Sequence, residues 1–154
     1  MTFARHKRAD NVTGMPAIRP LALGIIRRGE ELLVFRGHDE VKGETFHRPL
    51  GGGIEFGEHA DEALRREFQE ELAAEVTDIA LLGVVENIFT TNGRDGHEIA
   101  FLFSARFADE SLYRQEEIKI LDEDNVARWV PVEDFYTGRE ILYPEGLTGL
   151  LARS

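Results

Sequence analysis

Apolar positions recur along this chain with two different periods. Residues 21–26 and 31–36 are short apolar runs, and Arg27-Arg28-Gly29-Glu30 between them is a turn-like polar stretch, which together predict a strand hairpin. Residues 37–46 lose the pattern and read as a polar loop. They lead into His47-Arg48-Pro49-Leu50 and three consecutive glycines, Gly51, Gly52 and Gly53. The period then changes. Over residues 59–72, Ala60, Ala63, Leu64, Phe68 and Leu72 recur every three or four positions, the single stripe of an amphipathic helix docked through Leu64, Phe68 and Leu72. Residues 79–89 and 98–107 predict a strand pair on either side of the turn cluster Thr91-Asn92-Gly93-Arg94-Asp95-Gly96. Residues 127–130 read as another strand, residues 131–135 as a short helical turn, and residues 144–151 as a terminal helix with proline in its first turn. Strands, helix, strands, helix is the order of an α+β fold, a mixed β-sheet with helices packed on it.

Residues 1–17 have no periodicity and read as an N-terminal arm, leaving residues 18–154 as a single domain. A chain of 154 residues, 42% hydrophobic and 31% charged, is long enough to close one core without metal or disulfide staples. Its net charge of −11 argues against nucleic acid as a partner, because a phosphate backbone would be repelled. It leaves room for a small anionic ligand when divalent cations stand between carboxylates and phosphates. With no cysteine, the chain has no zinc–thiolate site, disulfide or cysteine nucleophile. Arg5, Lys7 and Arg8 are not followed by an apolar stretch, and no apolar run is long enough to cross a bilayer. The expectation is a soluble cytoplasmic protein with no membrane partner, a monomer or homodimer.

The chemistry is concentrated between Gly52 and Leu72. Gly52 is followed six residues later by Glu58, and then by Arg66-Glu67-Phe68-Gln69-Glu70-Glu71. On a helix Glu67, Glu70 and Glu71 stand at i, i+3 and i+4, so their carboxylates share a face and repel one another unless a cation lies among them. Hard divalent ions take oxygen ligands of this kind. Arg66 stands four residues from both Glu62 and Glu70 and can hold a carboxylate in place. A lone Glu-Glu pair on a helix is ordinarily a solvated face. Here the apolar stripe runs beside the glutamates, so the helix is docked where they lie, and glycines upstream let a main-chain carbonyl approach a metal.

Gly52, Glu58, Arg66, Glu67, Phe68, Glu70 and Glu71 match in register the signature box of the Nudix hydrolases, which this chain resembles. At residue frequencies of roughly 5–7%, six fixed positions coincide by chance about once in ten million windows. Two positions depart from the box: Ala73 replaces its glycine and Ala74 its next hydrophobic residue. A left-handed cap without glycine costs about 1 kcal/mol, so the helix either bears that cost or runs on to about Glu75. His59 stands where serine or threonine is the common cap, which predicts a slightly frayed start.

The resemblance implies an α/β/α sandwich and hydrolysis of the diphosphate linkage in a nucleoside diphosphate derivative. ADP-ribose and sugar nucleotides, dinucleoside polyphosphates and nucleoside di- or triphosphates are all open as substrates. It implies magnesium or manganese held by Glu67, Glu70 and Glu71, with a backbone carbonyl near Gly51 as a further ligand. One carboxylate, acting directly or with the metal, would activate water. Glu67 and Glu70 are both base candidates, with Arg66 as their neighbour in the catalytic group. Glu98 is the best candidate outside the box, as metal ligand or base, against the reading of an edge-strand charge. Arg48 and Arg36 are placed to meet phosphates and Asn87 to bond a base or sugar. Trp129 could stack on a base, but a lone tryptophan in an apolar strand belongs more often to the core. The rival class is a catalytically silent Nudix-fold domain that senses nucleotides. The intact glutamates speak against it.

Overall fold

The computed structural model describes residues 16–153. The arm expected at the N-terminus therefore lies largely outside the described residues. Among the described residues, eight strands and three α-helices follow in the order β1 (Ile18–Arg28), β2 (Glu31–Asp39), β3 (Glu44–Arg48), β4 (Leu50–Gly53), α1 (Ala60–Leu72), β5 (Val76–Thr91), β6 (Arg94–Phe107), β7 (Glu117–Ile120), β8 (Asn125–Pro131), α2 (Val132–Tyr136) and α3 (Leu147–Arg153).

The sheet forks at its first hairpin. β1 and β2 pair only at Arg27↔Leu32 and Arg28↔Glu31 and then part. β4 zips antiparallel onto β1 from Leu21↔Gly53 to Gly24↔Leu50, while β3 zips onto β2 from Phe35↔Arg48 to Asp39↔Glu44. The β3–β4 segment is thus wedged into the fork, and Pro49, which has no N–H to offer a ladder, stands where the chain crosses from one arm to the other. Outward from the fork, β1 pairs in parallel with β6, which pairs with β5, and β2 pairs with β8, which pairs with β7. The result is the expected mixed sheet with helices on it, an α+β sandwich.

Strand alternation sends Ala22, Gly24 and Ile26 to one face of β1 and Leu21, Leu23 and Ile25 to the other, and all but Gly24 belong to the buried core. Helix α1 covers the first face through Leu64, Phe68 and Leu72, all buried as expected from their spacing. Gly24 permits this approach: a Cβ there would lie 2.6 Å from the Phe68 ring. On the other face α3 buries Leu147 and Leu151, and Arg27 Nη2 caps it by donating to Leu151 O at 3.2 Å.

Three strand assignments differ from the sequence reading, the first being Leu50–Gly53, whose glycines belong to no predicted strand yet form β4 on β1. Residues 37–46 are not one long loop, because β2 runs to Asp39 and β3 starts at Glu44. Pairing across the hairpin holds those polar residues extended, a tertiary gain that local polarity does not reveal. β7 has no counterpart in the sequence reading: only Ile118 and Ile120 mark it, in a run with acidic neighbours. Trp129 belongs to the core. Its indole N–H donates to Gln115 O at 2.8 Å, and its ring stacks on Tyr113 and under Arg28.

Both helix-end departures now have a structural answer. The start of α1 is held, since Glu62 Oε1 accepts the His59 N–H at 2.8 Å. At the other end α1 stops at Leu72, with Ala73 left-handed at φ 52°, ψ 39°. Ala73 N–H bonds Gln69 O at 3.0 Å, the bond of a left-handed helix stop, and Ala74 N–H bonds Phe68 O at 3.3 Å. Ala73→Gly is expected to relieve the Cβ strain and stabilise the protein by about 1 kcal/mol, a rise of roughly 2–4 °C in Tm. Differential scanning calorimetry measures this directly, and an unchanged or lower Tm would mean the cap carries no strain.

Candidate functional site

The structure brings the box residues together around Arg66. Its guanidinium takes Glu58 side-on, Nε to Oε2 at 2.7 Å and Nη2 to Oε1 at 2.8 Å. The same Nη2 donates to Gly53 O at 2.9 Å. Nη1 donates to Glu67 Oε1 at 3.0 Å and to Glu70 Oε1 at 3.4 Å. These carboxylates, Glu58 foremost, push the guanidinium pKa further above its ordinary value, so Arg66 is a permanent cation at the hub. Glu62, within reach by sequence spacing, serves the helix start instead.

Glu67 and Glu71 are both fully buried, one turn apart on α1. Glu67 packs against the glycine strand so closely that a Cβ on Gly52 would lie 2.6 Å from its carboxyl carbon and 2.7 Å from each oxygen. Gly51 has φ +139°, a conformation that side-chain-bearing residues avoid, and a Cβ there would lie 2.1 Å from Ala22 O. Gly51 and Gly52 are therefore a steric requirement on both faces of β4. The main chain of Glu71 is tied down as well, its carbonyl accepting the Leu121 N–H at 2.8 Å.

This oxygen-only set fits a hard divalent cation. Two carboxylates with no solvent exposure lie one turn apart on α1, and one of them, Glu67, packs directly on the glycine strand. Among the described residues no three carboxylate or imidazole side chains already form a ligand cluster. Glu70, partly exposed and bonded by Arg66, is the box glutamate outside the buried pair.

A second group of expected residues gathers elsewhere. Arg36, Arg48 and Asn87 all line a cleft of about 430 Å³ between the β2–β3 hairpin and β5. Arg48, next to Pro49, links this cleft to the glycine strand, while the α1 glutamates do not line it. Arg36 is exposed and Asn87 is buried at the cleft wall. Glu98, expected as a metal ligand or base, is 2% exposed, not an open edge charge. Its Oε1 accepts Arg48 Nη2 at 2.9 Å, and Arg19 Nη1 lies 3.8 Å from Oε2. Register fixes which way it faces. Gly24, which faces α1, pairs with Phe103, so Glu98, an odd number of residues earlier on the same strand, faces away from α1.

The cleft has walls that local sequence did not announce. Residues 141–143 are strapped to β3 by His47 N–H to Ile141 O at 2.8 Å and Tyr143 N–H to His47 O at 2.9 Å. The Tyr143 ring meets Phe46 at 5.3 Å, and its hydroxyl donates to Glu44 Oε1 at 2.8 Å. Burial and that carboxylate push the phenol pKa up to about 12. At the outer end the hairpin tips touch: Glu40 N–H donates to Asn92 Oδ1 at 2.7 Å. Asp39 shapes the first tip by accepting N–H bonds from Val41 and Lys42, and the Lys42 bond is foremost in holding its carboxyl below the usual range.

Fold and site together define an α+β sandwich with an acidic helix docked on a glycine strand. The sequence model of the NUDIX domain matches residues 18–146, and the chain belongs to the NUDIX family of hydrolases. Among curated proteins it is 34% identical over 139 residues to the NAD-capped RNA hydrolase NudC of Pseudomonas putida strain W619, covering 87% of this chain and 46% of that one. It is 34% identical over 119 residues to the same-named protein of Pseudomonas entomophila, covering 77% and 38%. The chain thus spans less than half the length of these relatives. Among solved structures, the MutT NUDIX hydrolase of Burkholderia pseudomallei superposes with a TM-score of 0.61 at 22% identity, covering 89% of this chain and 97% of that one. A NUDIX hydrolase of Nitrosomonas europaea gives 0.62 at 14% identity, covering 88% and 87%. Both show the shared fold.

Proposed function

We propose that residues 18–154 form one pyrophosphohydrolase domain that cleaves the diphosphate linkage of a nucleoside diphosphate derivative, using magnesium or manganese. The observation that carries this reading is the pair Glu67 and Glu71, both fully buried one turn apart on α1, with Glu67 packed on the glycine strand and bonded to Arg66. Glu67, Glu71 and Glu70 would hold the ion, with the carbonyl near Gly51 as the main-chain ligand. The bound ion supplies charge neutralisation for the phosphates and acidifies the attacking water.

The chain's own residues supply the rest. Arg66 fixes the Glu67 carboxylate in one orientation, which suits Glu67 to take a proton from the water. Glu58 and Gly53 O hold Arg66 in turn, tying α1 to the glycine strand. Arg48, Arg36 and Asn87 would receive the phosphate, ribose or base in the cleft. Because the curated relatives are named for NAD-capped RNA, NAD belongs among the substrates to be assayed. The net charge of −11 favours a free dinucleotide over a polynucleotide.

The test is a panel of ADP-ribose, NAD, dinucleoside polyphosphates and nucleoside di- and triphosphates, with magnesium or manganese and with excess chelator. At least one diphosphate should be cleaved with metal and none in chelator. Undiminished turnover in chelator would sink the metal reading, and nucleotide binding without turnover of any substrate would leave a sensing domain.

A further inference from the structure

Beneath the cleft lies an ion cluster that the helix does not use. Glu98 is 2% exposed, and the side chains of Arg48 and Arg19 facing it are each 12% exposed. Charges at this depth are costly unless their geometry is kept, so the bond from Arg48 Nη2 to Glu98 Oε1 at 2.9 Å fixes Arg48 firmly. Asn87, the cross-strand partner of Glu98, is 6% exposed and lines the same cleft as Arg48. Arginine presents five N–H donors in a planar fork, and the Glu98 bond is made through Nη2. A guanidinium already fixed by a buried carboxylate can meet a phosphate without first losing its rotamer freedom, an advantage of roughly tenfold in affinity. Glu98 points away from α1, so this arrangement is separate from the glutamates proposed to hold metal.

We propose that Glu98 is a positioning residue, which fixes Arg48 as a metal-independent anion anchor at the inner end of the cleft for a phosphate of the nucleotide. This rests on the hydrolase reading only for the identity of the ligand. It gives Glu98 a role other than the metal ligand or base expected from sequence.

The test measures ADP binding by calorimetry in excess chelator, alongside kcat and KM with magnesium. Wild-type protein should bind ADP without metal. Glu98→Gln and Arg48→Gln should each weaken that binding about tenfold. The double variant should bind no worse than Arg48→Gln alone, because the two residues act as one unit. With magnesium, Glu98→Gln should raise KM about tenfold and change kcat by no more than about threefold. A hundredfold loss of kcat at constant KM in Glu98→Gln would overturn the proposal and return Glu98 to the metal centre. So would weakening that multiplies to about a hundredfold in the double variant. If Glu98→Gln does not fold, Arg48→Lys decides, since it keeps the charge but not the fork. It should weaken metal-free ADP binding severalfold, and unchanged affinity would overturn the anchor. Hydrolysis without metal-free binding sinks the anchor alone, while metal-free binding without hydrolysis of any substrate sinks the hydrolase reading alone.

Discussion

Glu71→Gln is expected to lower kcat by about a hundredfold or more while the protein stays folded. Glutamine keeps the shape of the side chain and removes the charge that would hold the cation. Electrostatic stabilisation by a metal is worth several kcal/mol, and each 1.4 kcal/mol or so is a factor of ten in rate. The site has little means to compensate. Glu71 is fully buried, so water cannot take its place freely, and Leu121 N–H holds its main-chain carbonyl at 2.8 Å. Steady-state kinetics at saturating magnesium, with a thermal melt as the control for folding, measures the effect. Near-normal turnover in a folded variant would remove Glu71 from the site.

Gly51→Ala should have the largest effect on stability. A Cβ would be placed 2.1 Å from Ala22 O and 2.8 Å from the Cα of Leu23, and both belong to the main chain of the central strand β1. Main chain in the middle of a sheet cannot move aside as a flexible side chain can. The φ of +139° adds backbone strain to the overlap. Overpacking and strain together are expected to cost about 3 kcal/mol or more, a fall in Tm of roughly 6–12 °C. Thermal denaturation of the metal-free protein checks this without involving catalysis. A melting temperature within a degree or two of wild type would show that β4 can shift, and the steric account of the glycine strand would fall.

The helix and its acidic face were legible because local periodicity decides them: Leu64, Phe68 and Leu72 recur at helical spacing, and Glu67, Glu70 and Glu71 follow from the same register. The cleft was legible only as a set of separate residues. Arg36, Arg48 and Asn87 line one cavity, but Phe46 and Tyr143 join them through a strap between residues far apart in sequence. Nor could local sequence show that Glu98 is buried beneath Arg48, because the fork in the sheet brings them together. β3 was hidden for the same reason, its polar residues being held extended by a partner strand. At Ala73 the sequence left two outcomes open, and a left-handed residue at the helix end decides between them.

The fork and the touching hairpin tips have a consequence for how such a protein can change. The chemistry proposed here sits on α1 and β4, wedged where neither length nor side-chain volume can vary: Gly24, Gly51 and Gly52 each lack room for a Cβ. The tips lie at the far end of the cleft, where residues 40–43 and the Asn92–Gly93 turn are solvent-facing connections, and such connections accept insertions more readily than the elements they join. Asp39, Lys42, Thr91 and Asn92 line the cleft from those tips. On the proposed reading, selectivity and reaction would be carried by separate stretches of chain. Lengthening or shortening a tip can alter which molecule is admitted while leaving the wedge untouched, so descendants of this sequence could acquire new substrates without rebuilding the part that cuts.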